Sequence, residues 1–161
     1  MISNVNQIMT KTQENFLFYD TKILSHIDGC VLGIDYGTVR IGLALSDKNK
    51  QIATPFKTIH QLKELDDIVP AKEIRAFVVG LPLQTDGQEG DIAKQVRLFV
   101  NRLIEKYKRP VILTDERYTS KYAAEYMTGH GTRLKKQQKQ IDSVAAARIL
   151  QKALNQYWAT K

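Results

Sequence analysis

The chain has 161 residues, 43% hydrophobic and 25% charged, with a net charge of +7. A single domain of that size buries roughly 70% of its unfolded surface, enough for a core without staples. No apolar run approaches the ~20 residues of a membrane-spanning helix, and a lone cysteine, Cys30, excludes an internal disulfide and a Cys-based metal centre.

The N-terminus mixes acids and amides with its apolar residues and lacks a signal-peptide layout, so the expected compartment is a reducing cytoplasm, away from membranes. Residues 1–80 hold nine Lys/Arg against nine Asp/Glu, whereas residues 81–161 hold fifteen against eight. A one-sided basic field attracts polyanions. It also serves solubility, so charge alone names a partner to test and no function.

Residues 1–28 read as an N-terminal extension, free to pack on the domain or to fray, and residues 29–161 as the domain proper. The apolar run Cys30–Ile34 predicts a buried strand ending in Asp35. Gly37-Thr38 turns the chain, and Arg40–Asp47 predicts a second strand returning beside the first. A polar turn at 47–50 precedes a third strand near Ile52-Ala53. Leu62, Leu65, Ile68 and Val69 follow helical spacing up to Pro70. A strand is predicted over Ala76–Gly80.

The clearest helix carries Ile92, Val96, Phe99, Val100, Leu103, Ile104 and Tyr107 on one stripe, with Lys94, Arg97, Asn101 and Arg102 outward. Val111–Leu113 predicts a strand leading into Thr114–Arg117. A short helix is expected after Thr119 or Ser120, stopping at Gly129. Gly131–Gln140, with Arg133, Lys135, Lys136 and Lys139 and no acid, reads as a mobile basic loop. A last helix is expected from about Ile141-Asp142 to about Tyr157. Three strands followed by alternating helices and strands give an α/β fold, a mixed sheet with helices on its faces. In such sheets chemistry gathers where strands end.

Three acidic positions stand out. Asp35 ends an apolar strand between Gly33 and Gly37, where Asp is disfavoured and small neighbours leave room for a ligand. Asp115-Glu116 ends another, either as a functional pair or as a solvated strand end paired with Arg117. Asp142 begins a predicted helix with Ala145 and Ala146 one turn on; taken alone it reads as an N-cap. Carboxylates converging at one sheet edge repel unless a divalent cation neutralises them, and oxygen-only donors suit Mg²⁺ or Mn²⁺. Such ions support phosphodiester hydrolysis. His26, His60 and His130 show no zinc spacing, and no Gly-x-Ser-x-Gly elbow or Walker loop occurs.

Four blocks, in order and spacing, resemble the YqgF/RuvX family, the RNase H-like Holliday junction resolvase homologues described as pre-16S rRNA nucleases. They are Gly33-Ile-Asp-Tyr-Gly-Thr-Val-Arg-Ile-Gly-Leu-Ala-Leu-Ser-Asp47, Val79–Gly90, Asp115-Glu-Arg-Tyr-Thr-Ser120 and Asp142-Ser-Val-Ala-Ala146, and the likeness spans about residues 30–156. The resemblance implies an RNase H-like mixed β-sheet flanked by α-helices and a metal-dependent nuclease. Its implied role is 5′-end processing of pre-16S rRNA in ribosome biogenesis, in contact with ribosomal particles. The alternatives are a nuclease for branched DNA and a non-catalytic nucleic-acid-binding assembly factor.

The resemblance puts Mg²⁺ or Mn²⁺ on Asp35, on Asp115 or Glu116, and on Asp142, with Glu116 favoured over Asp115 for its longer reach. Arg40, Arg117 and Thr119 would position phosphates, and Arg133, Lys135 and Lys136 would extend the nucleic-acid surface. Val39, Gln84-Thr85 and Tyr118 depart from the usual family residues without touching the acidic set. Monomer and homodimer are both compatible with these roles. The opening block also resembles the first phosphate motif of actin-like and Hsp70-like ATPases, but no second phosphate loop follows.

Overall fold

Six strands form one sheet in the order β1-β6-β5-β2-β3-β4, seen in a computed structural model that describes residues 15–117 and 134–161. The strands are β1 (Leu17–Phe18), β2 (Cys30–Tyr36), β3 (Ile41–Ser46), β4 (Ala53–Ile59), β5 (Ile74–Leu81) and β6 (Val111–Asp115). The helices are α1 (Leu65–Ala71), α2 (Asp91–Tyr107) and α3 (Leu134–Ala159), with 3₁₀ turns at Thr21–His26 and Leu62–Glu64. β2, β3 and β4 run antiparallel as a meander. β5 joins β2 in parallel, β6 joins β5 in parallel, and β1 adds to the far side of β6 in parallel. This is a mixed sheet flanked by α-helices, as the resemblance implied.

Each strand alternates its side chains between two cores. Leu32, Ile34, Leu43, Phe77, Val79, Val111 and Leu113 point to the face covered by α1 and α2. Val31, Ala44, Ala76, Val78 and Ile112 point to the face covered by α3. The second set is small, and α3 lies correspondingly close. A Cβ on Gly33 would stand 2.6 Å from Cβ of Leu150 and 2.9 Å from the carbonyl oxygen of Ala146. Ile149, Leu150 and Leu154 are fully buried in this seam, each contributing about 1.5–3 kcal/mol. Gln151 fastens α3 to the β3–β4 hairpin: its Oε1 accepts from the Ala53 N–H at 2.8 Å, and its Nε2 donates to the Gln51 carbonyl at 3.0 Å.

Several expectations shift. The third strand runs to Ile59 and includes Pro55, which β4 tolerates as an edge strand. Pro70 lies inside the last turn of α1 rather than beyond it. Ile92 is exposed, while Arg97 folds inward against Glu89 and Tyr19. Residues 134–140, read as loop, belong to α3. Leu, Lys and Gln are good helix formers, and a run of one charge sign does not override that preference. The short helix expected after Thr119 lies outside the described residues. No described helix is long and apolar enough to cross a membrane.

β2 changes register against β5 between Cys30 and Val31. The buried Ser46 hydroxyl repairs the ladder there, accepting from the Val31 N–H at 2.8 Å and donating to the Asp47 carbonyl at 2.9 Å. Ser46→Ala should therefore cost about 1–3 kcal/mol, the penalty for orphaning a buried N–H. Urea unfolding measures it.

Candidate functional site

The site is built on the face that carries α3. Asp35 shares this face with Val31 and Gly33 by strand alternation, and both neighbouring strands present glycine beside it. On β3 its register partner is Gly42. On β5, Gly80 follows Val79, the partner of Ile34. Each glycine admits a second acidic residue. A Cβ on Gly42 would fall inside the backbone carbonyl of Asp142, and one on Gly80 would stand 2.8 Å from Cγ of Glu116. Asp35 thus lies between two close approaches, α3 at Asp142 and the end of β6 at Glu116.

The electrostatics follow from that placement. Burial first, then the charges of Asp142 and Glu116, push the Asp35 carboxyl up to about 7. Among the described residues its carboxylate has no hydrogen-bond partner. The other two acids are held by cations of the chain itself. Arg40 Nε donates to Asp142 Oδ2 at 2.9 Å. Lys152 Nζ lies 3.7 Å from Glu116 Oε1, which also accepts from the Thr114 hydroxyl at 2.9 Å.

Asp115 is elsewhere. Alternation along β6 sends Val111, Leu113 and Asp115 to the α2 face, and Ile112, Thr114 and Glu116 to the α3 face. The Glu116 side chain is 5% exposed and that of Asp115 46%. Asp115 forms a two-pronged pair with Arg117, at 3.1 Å and 3.3 Å. The sequence carried this signal, because the alternation starts at Val111. Arg117 also donates to the Thr85 carbonyl at 3.4 Å, so its guanidinium bridges β6 and the loop after β5. Lys152, which also donates to the Asp115 carbonyl at 2.6 Å, escaped the sequence reading because it lies ten residues beyond Asp142 on the same helix.

Asp142 is not an N-cap: it lies two turns inside α3, which begins at Leu134. Ala145 and Ala146 are buried against the sheet rather than lining a space beside the carboxylate; their small size seats the helix. Lys135 and Lys136 fall in the first turn of α3, whereas Thr119 and Arg133 lie outside the described residues.

The donor chemistry of Asp35, Glu116 and Asp142 suits a hard divalent cation, oxygen-only and partly buried. Among the described residues, however, no three acidic, histidine or cysteine side chains close on one point as a metal cluster. Arg40 and Lys152 stand where an added cation would compete.

A family model described as RuvX, Holliday junction resolvase, matches residues 29–156. The chain is 42% identical over 134 residues to a protein of Anaplasma marginale (strain St. Maries) named "Putative pre-16S rRNA nuclease", covering 80% of this chain and 85% of that one. Proteins of the same name from Rhizobium meliloti (strain 1021) and Chloroflexus aggregans are each 37% identical over 131 residues. Both alignments cover 78% of this chain, with 79% and 92% of those proteins. Among solved structures, RuvC of Thermus thermophilus aligns with a TM-score of 0.46 at 14% identity, covering 81% of this chain and 97% of that one. The yeast mitochondrial Holliday junction resolvase Ydc2 aligns at 0.40 and 12%, covering 92% and 83%. On the family match and the sequence relatives, the chain belongs to the RuvX family.

Proposed function

We propose that this chain is a nuclease that hydrolyses phosphodiester bonds in the precursor of 16S rRNA, in the cytoplasm, using Mg²⁺ or Mn²⁺ held by Asp35, Glu116 and Asp142. The observation that carries the reading is the meeting of a buried Asp35 with the charges of Glu116 and Asp142, in a chain whose relatives bear that name. A bound divalent ion would supply Lewis acidity toward phosphoryl oxygens.

The chain's own residues prepare the rest. Asp35, near half-protonated at neutral pH while the site holds only the chain's own charges, would give up that proton as a divalent ion binds. Arg40 and Lys152 balance Asp142 and Glu116 until other cations arrive, and both then stand beside a phosphate. Basic residues after position 80 raise the local concentration of a polyanion. The family description favours a second reading, cleavage of branched DNA.

The test is a matched panel: RNA carrying the unprocessed 5′ end of 16S rRNA, and a four-way DNA junction, each with Mg²⁺ or Mn²⁺. Preferred cutting of the RNA is expected, preferred cutting of the junction selects the second reading, and no cutting of either favours a non-catalytic assembly factor. Glu116→Gln should lower kcat by about 10²-fold or more, and Asp115→Asn by less than about tenfold, because its carboxylate faces the opposite side of the sheet. Equal losses in the two variants would contradict the placement of Glu116.

A further inference from the structure

The family match begins at residue 29, yet residues just before it build a wall of a second cleft. β1 continues the sheet beyond β6, with Leu17 opposite Val111 and Phe18 opposite Ile112. The next residue, Tyr19, therefore reaches the α2 face, the side to which Leu113 and Asp115 also point. There it borders a cleft of about 430 Å³ with Leu81, Leu83, Glu89, Arg97 and Asp115 among its lining. That volume falls in the ordinary range of small-molecule sites, roughly 300–1,000 Å³.

One guanidinium ties the elements around the cleft together. Arg97 on α2 donates from Nη1 to the Tyr19 hydroxyl at 2.9 Å, and its Nε pairs with Glu89. Glu89 is in turn bridged to Leu83 across the loop that follows β5. Three elements surrounding the cleft, the segment after β1, helix α2 and the 83–89 loop, are thus tied at Arg97. Tyr19 is fixed by its hydroxyl and by the Arg97 guanidinium, whose carbon lies over the ring 5.8 Å from its centre, while 63% of the residue remains exposed. Covering the edge of β6 requires only backbone pairing, whereas the Arg97 contact sets the ring at the rim of the cleft.

We propose that Tyr19 forms the stacking wall of a nucleoside subsite for a single-stranded segment of the nucleic-acid substrate, one that follows from the nuclease reading above. Leu81 and Leu83 supply apolar surface, Tyr19 an aromatic face, and Asp115 and Glu89 acceptors for base N–H groups. That combination is the chemistry by which unpaired bases are held. The position fits as well. Asp115 precedes Glu116 by one residue, so the cleft lies around the end of β6 from the three carboxylates. A strand with a phosphate at Asp35 can turn a neighbouring base over that end. Arg97 and Arg117 are paired with Glu89 and Asp115, so the cleft wall is close to neutral and suits an uncharged base better than a phosphate.

The experiment is a binding cycle that needs no cleavage. Fluorescein-labelled hexauridylate and a ribose-phosphate hexamer of equal charge lacking bases are titrated by fluorescence anisotropy, in EDTA at fixed salt. The intact chain should prefer hexauridylate, and Tyr19→Ala should reduce that preference by about tenfold, the scale of one base stacked on an aromatic ring. Tyr19→Phe, which keeps the ring and loses the hydroxyl, should retain most of it. If Tyr19→Ala keeps the parent ratio, or weakens both ligands in proportion, the subsite is refuted. A chain that discriminates through Tyr19 yet cuts neither RNA nor junction DNA would overturn the nuclease reading and leave the base contact standing. A chain that cuts with an unchanged ratio would do the reverse.

Discussion

Asp35→Asn is expected to lower metal-dependent cleavage by about 10²–10³-fold, the cost of removing one preorganised electrostatic partner. The same substitution should make the fold more stable at pH 8. A purely structural carboxylate would not give that combination. Asp35 ionises at about 7 instead of the usual 3.8, through burial and then the charges of Asp142 and Glu116. The native state therefore holds a proton that the unfolded chain has released throughout that interval. The stability so contributed is complete below about pH 4 and is lost as pH rises through 7.

Above pH 7 the ionised carboxylate is a net cost. The interval from 3.8 to about 7, at about 1.4 kcal/mol per unit, bounds that cost near 4 kcal/mol. Remaining solvent contact and nearby cations reduce it, so a gain on the order of 2 kcal/mol is expected for the amide. Denaturant unfolding of both chains at pH 5 and pH 8 reads the effect. The parent should lose roughly 1 kcal/mol more than the variant between the two values, because part of the loss is already complete at pH 5. A variant less stable than the parent at pH 8 would show that Asp35 is held by interactions other than these.

Gly42→Ala should be the most damaging glycine-to-alanine change among the described residues. Its Cβ would occupy the position of the Asp142 carbonyl, backbone against backbone, where no side chain can rotate away. Helix α3 must then lift from the sheet or shift along it. Overpacking of this kind costs about 3 kcal/mol or more, drawn from the seam around Leu150 and Ala146. Because the lifted helix carries Asp142, activity should fall with it, by about 10²-fold for a displacement near 1 Å. Unfolding and cleavage measured on the same preparation separate the two losses. Parent-like stability would mean that α3 does not approach β3 as closely as described.

Much of this architecture was legible in the sequence for a simple reason. β2, β5 and β6 are buried on both faces, and their continuous apolar runs leave little choice of element. Asp35 stood out because a carboxylate at the end of such a run needs an explanation. Other features lay in relations between distant segments. Gly33, Gly42 and Gly80 mark one face, but only the register of β2 with β3 and β5 shows that two of them flank Asp35. The start of α3 was obscured by its charge, although its residues favour helix. The two-residue strand β1 is too short for any periodicity to show, so the place of Tyr19 depends wholly on pairing with β6. That Asp115 and Glu116 face opposite sides of the sheet, in contrast, needed nothing beyond alternation counted from Val111.

The most direct measurement is the carboxyl ¹³C shift of Asp35 followed through a pH titration, with and without Mg²⁺. A largely buried Asp35 that feels the charges of Asp142 and Glu116 requires a midpoint near 7 in the metal-free protein, and the proposed ion site requires that midpoint to fall well below its metal-free value once the ion is added. A midpoint near 4 that ignores Mg²⁺ would mean that Glu116 and Asp142 do not face Asp35, and that no cation is shared among them.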